Sequence, residues 1–134
     1  RLGLMLVDLD RFKQINDRHG HLLGDVVLRA IARELQNAAA PCDLPVRLGG
    51  DEFALLLQVR DAAELDSRAR QIVMAIRALR FPDPNAGLRT TVSVGAVLCE
   101  EDGEWSQWYA EADSALYEVK GAGGDSYRLL ELSA

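Results

Sequence analysis

Lysine is almost missing from this chain. Of its 15 basic residues only Lys13 and Lys120 are lysine, and the rest are arginine. The two cations differ in shape and hydration, so a surviving lysine marks a position that needs a compact point charge, unless composition has simply drifted. Cysteine is scarce too: Cys42 and Cys99 make one possible pair and lack metal-ligand spacing, so incidental reduced thiols are expected. No apolar run approaches the roughly 20 residues that cross a bilayer, and no signal peptide is visible. A cytoplasmic location without membrane contact is therefore the expectation. Positive charge is in deficit, with a formal net charge of −6, which argues against a general nucleic-acid surface. Methionine does not open the chain; Arg1 leads at once into an apolar run, as expected of a piece of a longer protein.

What is present suits a single domain. The chain has 134 residues, 49% hydrophobic and 27% charged, ordinary values for a globular protein with one core. Leu2 to Val7 is a nearly unbroken apolar run, read as a buried strand that ends in Asp8-Leu9-Asp10. Residues Arg11 to Leu23 read as a loop, with Asn16-Asp17, Gly20 and Gly24 as breakers. Asp25 reads as the N-cap of a helix whose stripe is Val27, Leu28, Ile31, Ala32 and Leu35. A second helix spans Ala62 to Arg80 and ends at Phe81-Pro-Asp-Pro-Asn85; a third runs from about Ser106 to Lys120. Strands are expected at Thr90 to Leu98 and Tyr127 to Leu132. The order β-α-β-β-α-β-α-β implies an α/β (α+β) fold, a mixed sheet with helices on its faces.

The chain is organised around Arg47-Leu48-Gly49-Gly50-Asp51-Glu52-Phe53. An apolar approach from Leu44 and a strand from Phe53 to Val59 flank it, so it reads as a β-hairpin. Gly49 and Gly50 lack Cβ and let a bulky ligand approach the backbone. Asp51 and Glu52 are expected at an exposed edge, although Gly-Gly-Asp is also ordinary turn chemistry. If the first strand pairs with this hairpin, as in βαββαβ arrangements, Asp8 and Asp10 lie near Asp51 and Glu52. Such carboxylates repel one another unless a cation intervenes. Magnesium takes one or two carboxylates plus substrate phosphates, which points to a metal–nucleotide site with Lys13 and Lys120 as phosphate partners.

Gly49-Gly50-Asp51-Glu52-Phe53 resembles the signature of the GGDEF domains, the diguanylate cyclases. The block from Asp8 to Asp25, including Lys13, Asn16, Asp17, Gly20 and Gly24, resembles the family as well, and so does Ala112-Asp113 to Lys120. Three ordered blocks cover almost the whole chain. The resemblance implies a mainly antiparallel sheet of about five strands, with a core similar to the nucleotidyl cyclase and polymerase palm. It also implies condensation of two GTP into cyclic di-GMP and two pyrophosphates across a homodimer, with Mg²⁺ or Mn²⁺ as cofactor. By position, Asp8, the Leu9 carbonyl and Asp51 would bind metal, while Glu52 would assist there or deprotonate the 3′-hydroxyl. Asn16 and Asp25 would read guanine, whose edge suits their donors and acceptors. Backbone amides at Arg11 and Phe12, with Lys13 and Lys120, would hold phosphates, and Gly49 and Gly50 would lie against the nucleotide.

Three departures bear on activity. Where the family often has Gly-Arg-Asn, this chain has Gly123-Gly124-Asp125, so an expected phosphate-binding arginine is missing. The inhibitory product motif, Arg-x-x-Asp, has Ala40 in place of its arginine and keeps Asp43. A degenerate product site and weak feedback follow. The family's usual leading segment, Asp-x-Leu-Thr-x-Leu-x-Asn, does not occur in these residues, and the resemblance implies a linked sensory domain outside them. A second reading is therefore a GTP-binding regulatory module with little turnover. A third, a nucleic-acid polymerase palm, is disfavoured by the acidic balance and small size.

Overall fold

The computed structural model describes residues 1–130. In chain order the elements are β1 (Leu2–Leu9), α1 (Phe12–His19), α2 (His21–Ala38), β2 (Leu44–Gly49), β3 (Glu52–Gln58), α3 (Ala62–Arg77), β4 (Val92–Leu98), α4 (Trp105–Gly121) and β5 (Ser126–Leu130). The strands form one sheet in the order β2-β3-β1-β4-β5. All neighbours are antiparallel except β4 and β5, which the α4 crossover makes parallel. This is the mixed, mainly antiparallel sheet expected from the sequence, with the first strand beside the hairpin.

Strand alternation divides the core in two. Met5, Val7 and Leu9 of β1, with Phe53, Leu55 and Leu57 of β3, belong to the larger cluster with the apolar stripes of α2 and α3. Leu4 and Leu6, with Ala54 and Val97, face the other way and meet Ala112 and Leu116 of α4. Gly95 is required here, because a Cβ on it would strike the backbone of α4 at Ala112 and Leu116. The even-numbered face of β1 continues from Leu4 and Leu6 to Asp8, and that of β3 runs back from Ala54 to Glu52. The same alternation that buries the apolar side chains of this face therefore delivers two carboxylates to the end of α4's face.

Some local expectations are corrected. The stretch from Arg11 to Leu23 is helical, not a loop: α1 occupies Phe12–His19, and α2 starts at His21. Helix α1 gives no periodic signal, because Ile15 is its one buried residue. Gly20, with φ 89°, is the break between the helices. Asp25 is not an N-cap but lies inside α2, one turn in. Gly24 is no breaker either, since a Cβ there would collide with the Asn16 side chain, and only glycine lets α1 and α2 close together. Helix α3 stops at Arg77, short of the expected Arg80. Strand β4 begins at Val92 instead of Thr90, and the Thr91 hydroxyl donates to Asp10. Glu131 and Leu132, assigned to the last strand from sequence, lie outside the described residues.

Candidate active site at the end of β1 and the β2–β3 turn

The register places Asp8 directly opposite Glu52. Between β2 and β3 the chain turns through Gly49 (φ 144°) and Gly50 (φ 49°), both in the region that favours glycine. The Leu9 amide donates to the Asp51 carbonyl at 3.2 Å and ties the turn to β1. Arg47 donates from Nε and Nη2 to the Gly50 carbonyl, at 3.2 and 2.7 Å, and braces the turn from the other side. Asp51 and Glu52 are half-buried, not on an open edge as the turn chemistry implied.

Helix α4 brings the cation. Lys120 Nζ lies 3.3 Å from Asp8 Oδ2 and 3.9 Å from Asp10 Oδ1. Burial lifts the Asp8 carboxyl to about 6; Lys120 pulls it down, and Asp51 beside it pushes it up. Asp8 Oδ1 is buried with no hydrogen-bond partner. An orphaned carboxylate oxygen next to a second carboxylate suits a hard divalent cation, which takes oxygen ligands and keeps places for phosphate. Among the described residues no three His, Cys, Asp or Glu side chains converge on one point. A cation here would rest on Asp8, Asp51 and the Leu9 carbonyl and draw its other ligands from substrate and water.

Glu52 is held differently. Tyr109 of α4 donates its phenol to Glu52 Oε1 at 3.2 Å. Burial, and then the neighbouring Glu52 charge, raise the Tyr109 phenol above its usual range, so it stays protonated and donates. Asp10, grouped with the other acids from sequence, shares the Lys120 ammonium with Asp8 and is bound further by its neighbours. It accepts from Thr91 Oγ1 at 2.7 Å, Ser93 Oγ at 2.6 Å and the Asp125 amide at 2.8 Å. With those lone pairs engaged, Asp10 latches the chain after α4 onto β1 and β4.

The other nominated residues are spread around this centre. Arg11 has a left-handed backbone (φ 57°) and precedes α1, whose first amides have no intrahelical acceptor. Phe12 packs against the larger core, whereas Lys13 is exposed and makes no ion pair among the described residues. Asp25 is exposed and lines a cavity of about 300 Å³ between α2 and the hairpin, with Arg29, Arg47 and Phe53. Asn16 is seated against Gly24, and its side-chain oxygen is buried without a partner. Ala40 and Asp43 lie away from the turn: Asp43 accepts from Arg68 Nη2 at 2.7 Å, the Ala40 amide at 2.8 Å and the Gln58 amide at 3.0 Å. Burial works to raise the Asp43 carboxyl, but the bonds from Arg68 and the two amides outweigh it and hold the group below the usual range. The roles of Arg68 and Tyr109 were not read from sequence, because each acts on a partner that only the fold brings near; that of Arg47 depends on the shape of the Gly49-Gly50 turn.

Comparison with known proteins agrees with this fold. The family described as "Diguanylate cyclase, GGDEF domain" matches residues 1–126. The chain is 34% identical over 134 residues to the bifunctional diguanylate cyclase/cyclic di-GMP phosphodiesterase MucR of Pseudomonas aeruginosa, covering 99% of this chain and 19% of that protein. The crystal structure of the diguanylate cyclase SiaD with its activator SiaC, from the same organism, superposes with a TM-score of 0.90 at 33% identity, over 96% of this chain and 50% of that one. The GGDEF domain of DgcB from Caulobacter crescentus, in complex with c-di-GMP, gives a TM-score of 0.89 at 29% identity, covering 96% and 77% of the two chains. The chain spans 16% to 32% of the length of the curated relatives it matches. A carboxylate pair fixed by strand register, a glycine turn stitched to β1 and a match along nearly the whole sequence lead to one conclusion: this chain belongs to the GGDEF family of diguanylate cyclase domains.

Proposed function

We propose that this domain condenses two molecules of GTP into cyclic di-GMP, with release of two pyrophosphates, across a homodimer and with Mg²⁺ or Mn²⁺. The observation that carries the reading is the pairing of Asp8 with Glu52 beside the Asp51 turn, with the Lys120 ammonium 3.3 Å from Asp8. Asp8, Asp51 and the Leu9 carbonyl hold the cation, with Glu52 beside them. Bound there, a divalent ion would supply charge neutralisation and polarisation at the phosphates, as in other phosphoryl transfers.

The protein's own groups supply position and proton handling. Asn16 and Asp25 read the guanine edge, and the cavity between α2 and the hairpin receives the base. The amides at Arg11 and Phe12, with Lys13 and Lys120, grip the β- and γ-phosphates, while Gly49 and Gly50 let the α-phosphate lie against the turn. Glu52 accepts the proton of the 3′-hydroxyl as its oxygen bonds to the α-phosphorus of the facing GTP. The bond from that phosphorus to the pyrophosphate oxygen breaks, and the step repeats in the opposite sense to close the ring. Each chain holds one GTP, so two domains must face each other, and their alignment supplies most of the rate.

We place the domain in the cytoplasm, linked to a sensory domain in a longer signalling protein, with no nucleic-acid partner and no membrane contact of its own. No helix among the described residues is long and apolar enough to cross a membrane. One observation favours the alternative, a weakly active domain that binds GTP as a regulatory module. Gly124 replaces the expected arginine, and the Asp10 carboxylate lies 2.8 Å from where its Cβ would be. Incubation with GTP and Mg²⁺ at high protein concentration, alone and fused to a dimeric coiled coil, separates the two. Cyclic di-GMP in either form supports the cyclase; GTP binding without product in both supports the module.

A further inference from the structure

Tyr109 and Lys120 are eleven residues apart on α4, just over three helical turns, and so share one face with Ala112 and Leu116. The middle of that stripe is apolar and packs on the sheet; its two polar members each hold one of the paired acids, Lys120 on Asp8 and Tyr109 on Glu52. The Tyr109 bond is the one hydrogen bond to the Glu52 side chain among the described residues. It engages Oε1 and leaves Oε2 to a ligand. A free glutamate samples several rotamers, and fixing it removes side-chain entropy that would otherwise be lost when the reaction begins. Tyr109 can impose that order because its own ring is set by α4. It is half-buried against the smaller core and lies tilted against Trp105, with ring centroids 6.1 Å apart at 44°.

We propose that Tyr109 is a positioning residue for Glu52, its phenol holding the carboxylate in the orientation used by cation and 3′-hydroxyl. The inference rests on the cyclase reading of the same site. It implies that α4 aligns both members of the acid pair, so that any displacement of the helix disturbs Asp8 and Glu52 together.

Tyr109→Phe deletes the hydroxyl and keeps the ring, and the test combines it with Glu52→Ala, which removes the acceptor, in a double-mutant cycle. Two readouts are taken: Mn²⁺ affinity, from the electron paramagnetic resonance of free Mn²⁺ in the presence of a GTP analogue with a methylene bridge between the α- and β-phosphates, and steady-state turnover of GTP. A hydrogen bond to a carboxylate of this kind predicts that Tyr109→Phe lowers kcat about three- to tenfold while KM for GTP moves less than about twofold. Mn²⁺ binding should weaken severalfold. The Mn²⁺ effect should vanish in the Glu52→Ala background, where the acceptor is gone. Equal Mn²⁺ affinity in Tyr109→Phe and parent, or an undiminished Tyr109→Phe effect on that affinity in the Glu52→Ala background, overturns the proposal. Failure of the cyclase reading shows separately, as a parent chain that forms no cyclic di-GMP, and the Mn²⁺ cycle still decides the role of Tyr109.

Discussion

The Asp10 carboxylate occupies the space that a side chain at residue 124 would need: a Cβ on Gly124 would lie 2.8 Å from it. Asp10 cannot move aside cheaply, because Thr91, Ser93 and the Asp125 amide all bind it. Gly124 itself has φ +76°, where a side chain is strained by about 1–2 kcal/mol. The next residue, Asp125, is held by Arg77 of α3, with Nε 3.0 Å from Oδ1.

Putting an arginine back at this position should therefore fail. Gly124→Arg is expected to lower the melting temperature by several degrees without tightening GTP binding. Differential scanning fluorimetry and calorimetric titration with GTP check this. A variant that binds GTP about tenfold more tightly with an unchanged melting temperature would mean that the turn after α4 adapts freely.

Asp8 makes a prediction about pH. Its folded carboxyl titrates at about 6 against an ordinary 3.8, so the unfolded chain loses the proton first. Between those values the folded state binds more protons, and stability falls as pH rises. Above about 6 the loss is complete and remains, at most about 3 kcal/mol for a shift of this size. In metal-free buffer Asp8→Asn should melt higher than the parent at pH 7, with the gap closing near pH 4. Parallel melting curves across that range would contradict the burial argument.

Asp43 is built into the fold more than into a product site. Its carboxylate unites Arg68, the Ala40 amide and the Gln58 amide. Asp43→Ala strands those donors and should destabilise the domain by about 2–3 kcal/mol in urea. With Ala40 where the motif has arginine, product titration of the steady-state rate should show weak inhibition in the parent. Potent non-competitive inhibition by cyclic di-GMP would refute this.

Gly24 ties helix packing to the seat of Asn16, one of the two proposed base readers. Gly24→Ala would push Asn16 from its seat and should weaken GTP binding severalfold, while ATP binding changes little. Asp25→Ala should relax GTP-over-ATP selection in the same assay. Unaltered discrimination in both variants would remove this corner from the base site.

Much of this was legible in the sequence, and the physical reasons for success and failure differ. The run Leu2 to Val7 announced β1 because both its faces are buried; the Gly-Gly turn announced the hairpin because few other sequences allow its backbone. The stripe of α3 was plain for the same reason as that of α2: each covers one broad face of the sheet. Helix α1 was invisible because only Ile15 is buried, so no period could form. Gly24 misled because its reason is the Asn16 side chain of the preceding helix, not a break in its own. The pairing of Asp43 with Arg68 and the bond from Tyr109 to Glu52 join residues 25 and 57 positions apart, and no local pattern carries them. Asp10 was legible as a neighbour of Asp8, since both lie beside Lys120, but alternation does not show the hydroxyls of Thr91 and Ser93 that bind it.

The central claim is that the carboxylates gathered at the β1 end and the hairpin turn carry the chemistry. Its most direct test is Asp51→Asn, which changes one oxygen for nitrogen at a turn held by the backbone bond from Leu9 and by Arg47. Cyclic di-GMP formed from GTP and Mg²⁺ would be measured by chromatography for parent and variant, both fused to the same dimeric coiled coil. The account predicts product from the parent, about a hundredfold less or lower still from Asp51→Asn, and matching melting curves. That ratio corresponds to roughly 3 kcal/mol for the loss of one transition-state electrostatic contact. Equal rates in the two chains would contradict it.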